Sequence, residues 1–77
     1  MNVSLEKEVA EELITYKLRR IKGLIEDILS RWNEASADSF LRKARDGTYS
    51  EAENDGIELR QLLLEEEKLQ KLLESFV

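Results

Sequence analysis

A chain of 77 residues has room for one domain, and a core this small supplies no more than about 3–5 kcal/mol without a staple, a metal or a partner. Cysteine and histidine are both absent, which excludes disulfides, thiolate metal sites and chemistry that relies on an imidazole. The net charge of −5 is unevenly placed: residues 1–46 balance nine acids against nine bases, whereas residues 47–77 carry eight acids and three bases. Phosphates would repel that acidic end, so nucleic acid is not the expected partner of it; a basic protein surface suits it better.

Proline is absent, glycine occurs only at positions 23, 47 and 56, and 42 % hydrophobic with 38 % charged residues predicts long helices rather than sheet or disorder. The expected fold class is all-α. Apolar runs reach only three residues, as at Leu62-Leu63-Leu64, so no membrane span is expected. The opening stretch is acidic and periodic, unlike a signal peptide, and predicts a cytoplasmic protein.

The first helix is expected over about residues 4–33, with Ser4 as its cap and Glu6 and Glu8 near the positive end of its dipole. Ile14, Leu18, Ile21, Ile25, Ile28 and Trp32 follow one another at spacings of four, three, four, three and four. That is a coiled-coil seam, read as a core or self-association surface. Leu13, Leu24 and Leu29 flank it, and Gly23 lies opposite, where it weakens the helix without opening the packed face.

A short second helix is expected over about residues 36–46, capped by Ser36, with Ala37, Phe40, Leu41 and Ala44 on one apolar face. Arg42, Lys43 and Arg45 suit its negative end, and Gly47 stops it in the left-handed cap position. The third helix is expected over about residues 50–75, opened by overlapping capping boxes, Thr48 with Glu51 and Ser50 with Glu53. Asn54-Asp55-Gly56 marks a kink or a late start. Leu62, Leu69, Leu73 and Phe76 form its main stripe, with Leu59 and Leu72 at the edges, while Ile57, Leu63 and Leu64 point elsewhere. A helix apolar nearly all round needs a second contact surface. Long, short and long helices suggest a helical hairpin that completes a bundle by oligomerisation, with a dimer favoured.

Catalysis is tested first on the acids. Glu8, Glu11 and Glu12 on one helix with Glu51, Glu53, Asp55 and Glu58 on another could gather a magnesium ion, as helical nucleotide phosphohydrolases do. Here they flank apolar stripes on the solvent side, so solvated faces are the better reading and no metal or cofactor is expected. Serine has no usual base, and no glycine-rich phosphate loop occurs. Lys17, Arg19, Arg20 and Lys22 fan round the helix rather than forming a nucleic-acid stripe. Trp32 is expected to plug the bundle end with its indole N–H on water or a carbonyl; Tyr16 and Tyr49, off the stripes, are expected at interface rims.

Residues 40–47 (FLRKARDG) with residues 50–59 (SEAENDGIEL) resemble short antitoxins encoded beside ribonuclease toxins of the PIN-domain type. The resemblance covers under half of the chain and rests on no diagnostic motif. It implies an acidic C-terminal helix that covers the toxin; the DNA-binding module that usually precedes it is not evident here, so autoregulation is not implied. The expected function is therefore a non-enzymatic helical interaction module. Leu62, Leu63, Leu64, Leu69, Leu72 and Phe76 would supply burial against the partner, and Glu58, Glu65, Glu66 and Glu67 complementary charge. Alternatives are a structural or accessory subunit of a homo-oligomeric bundle and, behind it, the metal-dependent nucleotide phosphohydrolase.

Overall fold

Three helices follow one another: α1 over Val3–Arg31, α2 over Ala37–Asp46 and α3 over Glu53–Glu74. The structure is a computed structural model that describes the backbone of residues 3–76 and the side chains of residues 6–76. The all-α, long–short–long order is the one expected. The cap assigned to Ser4 lies outside the described side chains.

Local chemistry explains most of the boundaries. At the end of α1, Asn33 takes a left-handed φ of 55°. The N–H of Glu34 then reaches the Leu29 carbonyl at 2.9 Å and that of Asn33 the Ser30 carbonyl at 3.2 Å, the paired bonds of a Schellman ending. Ser36 caps α2 as expected: its backbone is extended and its hydroxyl accepts from the Ser39 N–H. Gly47, at φ 87°, ends α2 in the left-handed region that a residue bearing a Cβ enters only at a cost.

The expected start of α3 is corrected. Neither capping box forms: the helix begins at Glu53, behind Ala52, which offers no side-chain cap. The Thr48 hydroxyl and N–H both donate to Asp46 Oδ1, at 2.6 and 2.9 Å. Ala52 is fully buried, and Tyr49 is stacked near Trp32 and Phe40. Residues 48–52 are thus drawn into a packed turn, and local capping signals yield to that burial.

The two long helices pair antiparallel within one chain. Arg31 Nη1 meets Asp55 Oδ2 at 2.8 Å near the connection, and Lys17 Nζ meets Glu65 Oε1 at 3.2 Å further along. The predicted seam faces this pairing. Ile14, Leu18, Ile21, Ile25 and Ile28 are buried on α1, and the main cluster joins Ile21, Ile25 and Ile28 to Phe40, Ala52, Leu59 and Leu62. The core is therefore concentrated at the connected end, where α2 lies across the hairpin. The result is a rod of 54 × 18 × 17 Å with a radius of gyration of 15.8 Å, against about 11.5 Å for a compact domain of this length. Its accessible surface of 5975 Å² exceeds the roughly 4,900 Å² of a compact 9.0 kDa monomer. Among the described residues, no helix is long and apolar enough to cross a membrane.

Candidate interaction face

The hairpin has a groove on each side. On one, α2 covers the connected end, and Thr15, Leu18, Arg19, Lys22, Leu73 and Glu74 border the groove between the long helices further along. On the other, Leu13, Tyr16, Leu24 and Leu62 line an open apolar groove, crossed by Lys17 and Glu65 with Arg20 beside them. Leu13 is 64 % exposed, Tyr16 59 % and Leu72 48 %. Four residues back from Lys17 and four on from Glu65, Leu13 comes level with Leu69, and Leu72 is one turn further. Helical spacing puts Leu62, Glu65, Leu69, Leu72 and Phe76 along one side of α3. This face is the candidate site.

The predicted partner residues divide. Leu62 is buried in the intramolecular core, and Leu63 and Leu69 are half-buried against it. Phe76 is half-buried, whereas Leu64 and Leu72 stay largely exposed. Leu63 sits at the core's edge, on the side of α3 where Gly56 approaches Ala44 of α2. Of the acids, Glu58 and Glu67 are exposed and Glu65 and Glu66 half-buried. Glu65 is paired with Lys17, and Glu67 with Lys71 at 3.2 Å, so both charges are partly screened within the chain. The seam from Ile14 to Ile28 is buried inside the hairpin. Among the described residues of α1, Val9, Leu13, Tyr16 and Leu24 are the large apolar side chains that remain outside. Their spacings of four, three and eight place them on a common stripe, a periodicity hidden in the sequence by the stronger seam beside it.

Trp32 does plug the end of the hairpin, but its indole N–H donates to Asp55 Oδ2 at 2.8 Å rather than to water or a carbonyl. Arg31 Nη1 also donates to both oxygens of Asp55. The indole and then the guanidinium hold the Asp55 carboxyl below its ordinary 3.8. Tyr49 is no rim residue: its ring lies 4.9 Å from that of Trp32 and 5.9 Å from that of Phe40. Its hydroxyl donates to Glu34, which also accepts from Lys43 Nζ at 2.7 Å and Ser39 Oγ at 2.9 Å. With its side chain only 6 % exposed, Glu34 titrates at about 2 because Lys43, then Tyr49 and Ser39, bond its ionised form. A carboxylate so held is a poor proton acceptor near neutrality. It is a clamp between α1, α2 and the following turn.

The carboxylates weighed as a magnesium site are not brought together. Glu8–Glu12 lie toward the open end of the rod and Glu51–Glu58 at the connected end, separated by roughly 25–30 Å of helix rise. Among the described residues no group of three potential metal ligands converges. The four basic residues of α1 also split, with Lys17 and Arg20 bordering one groove and Arg19 and Lys22 the other. Comparison with known proteins finds no matching family model, no matching curated protein and no matching solved structure.

Proposed function

We propose that this chain is a non-enzymatic, cytoplasmic helical interaction module, and that its most concrete role is that of an antitoxin whose acidic α3 covers a basic toxin surface. The observation that carries the interaction reading is the set of large apolar side chains left outside a hairpin that already has a core, Leu13, Tyr16, Leu64 and Leu72 among them. Such side chains gain from burial at about 25 cal/mol per Å² only when something covers them. The partner's sign follows from the excess of acids after residue 47, with Glu58 and Glu66 the central glutamates that make no ion pair among the described residues.

The test is neutralisation. Co-expression of the chain with a PIN-domain-type ribonuclease encoded beside its gene should relieve the growth arrest that the ribonuclease causes. Leu64→Glu should abolish that relief while leaving the helical content intact, because Leu64 is 63 % exposed. Growth arrest unrelieved by the intact chain, or no such neighbouring gene, overturns the antitoxin role. The second reading, a subunit of a homo-oligomeric bundle, is favoured by the rod's surface excess of roughly 1,000 Å² over a compact monomer.

A further inference from the structure

We infer that the open groove face is covered by a second copy of this chain, packed so that the two α1 helices run antiparallel about a two-fold axis near Leu13 and Tyr16. The inference rests on reading that face as an interaction surface and adds its occupant.

Area is the first argument. The excess of roughly 1,000 Å² over a compact monomer is close to the about 800 Å² that each partner contributes to a standard interface. One hairpin laid on another also gives each face what a two-helix rod lacks, a second layer.

Charge identifies the occupant and its direction. On α1 residues 6–12 carry Glu6, Glu8, Glu11 and Glu12 with only Lys7 opposed, residues 17–22 carry Lys17, Arg19, Arg20 and Lys22, and the acids Glu26 and Asp27 follow. All these side chains are exposed except Glu11, which is half-buried. An antiparallel copy sets the acidic turns of each helix on the basic turns of the other, whereas a parallel copy would oppose like charges. The switch from acid to base falls between Glu12 and Lys17, where Leu13 and Tyr16 lie. An axis there makes Leu13 of each copy meet Tyr16 of the other and brings Arg20 over Val9 of the other copy, within one turn of its Glu12. The surface is thus self-complementary in both shape period and charge, as a two-fold interface requires. Leu69 of α3, level with Leu13, and Leu72, one turn further toward the open end, extend the apolar patch.

Light scattering during size exclusion, from micromolar to submillimolar chain, tests the proposal. The intact chain should show twice the 9.0 kDa chain mass. Leu13→Glu should raise the dissociation constant by about tenfold or more with no loss of helical circular dichroism, since Leu13 is outside the monomer core. Arg20→Glu should weaken the dimer, and adding Glu12→Arg to the same chain should restore it, because residue 20 of one copy approaches the acidic turn of the other. A dimer indifferent to Leu13→Glu, or any other multiple of the chain mass, overturns the proposal. So does failure of Glu12→Arg to restore the dimer. A monomer at every concentration overturns it too. If that monomer binds the dye 1-anilinonaphthalene-8-sulfonate strongly, the face awaits a different partner and the interaction reading stands. If it binds none, both fall.

Discussion

Glu34 shows how one side chain joins three segments. It follows the end of α1, accepts from Ser39 and Lys43 of α2, and accepts from Tyr49 of the next turn. Its folded value of about 2 against an ordinary 4.5 fixes the sign of the pH effect. The stabilisation is complete above pH 4.5 and is lost as the pH falls toward 2. Asp46 and Asp55, both lowered, act in the same direction. Lys43 and Tyr49 are raised, chiefly by Glu34, so their contribution is complete below about pH 10 and is lost in stronger alkali. The thermal midpoint should therefore be flat across neutral pH and drop between 4.5 and 2. In Glu34→Gln that acid drop should be shallower and start from a lower plateau. An acid limb unchanged by the substitution would mean that Glu34 is not the clamp. Gly23 gives a second test at this scale. Nothing lies within 4 Å of a Cβ added there, so Gly23→Ala should raise stability by about 0.5–1 kcal/mol in denaturant unfolding.

The helices are held by unequal means. α1 hides one stripe against α3 and leaves a second outside, which a helix of 29 residues tolerates only because α3 and α2 bury the first. α2 is short and depends on its cap, so Ser36→Ala should cost about 1 kcal/mol. It depends still more on Phe40, fully buried against Trp32 and Tyr49, whose truncation to alanine should cost about 3–5 kcal/mol. On α3 the two neighbouring leucines part company. Leu63→Glu puts a carboxylate against the core and should lower the unfolding midpoint markedly, whereas Leu64→Glu should leave it nearly unchanged. Equal effects of the pair on thermal unfolding would show that α3 is rotated from the position described here.

For the whole molecule, the core is concentrated at one end of a rod. The connected end has a tryptophan, a tyrosine, a phenylalanine and two buried-edge carboxylate networks; among the described residues the open end has only helix-pair contacts. Opening should therefore begin at the free ends of α1 and α3, and amide exchange should be slowest near Ile25, Ile28 and Leu59. A second copy packed at Leu13 and Tyr16 would protect the open end, so protection of residues 9–18 should rise with chain concentration while that of residues 25–28 should not.

The all-α class, the buried α1 seam, the Ser36 cap and the Gly47 stop were legible in the residues, because periodicity and capping are local properties with strong steric and electrostatic signatures. The start of α3 was not, because Thr48 and Ser50 are good caps in isolation and only the packing of Tyr49 and Ala52 overrules them. Nor was the function of the seam as an intramolecular contact: a heptad pattern reports that a partner helix exists, not which chain supplies it. Tertiary structure also decided that Leu63 belongs to the core while Leu13, Tyr16 and Leu72 remain outside. A leucine looks the same in the sequence wherever it points, and its exposure depends on which helices arrive and at what angle. The acids and bases of α1 could be counted from the beginning, but only the fold showed that the stripe between them faces open solvent.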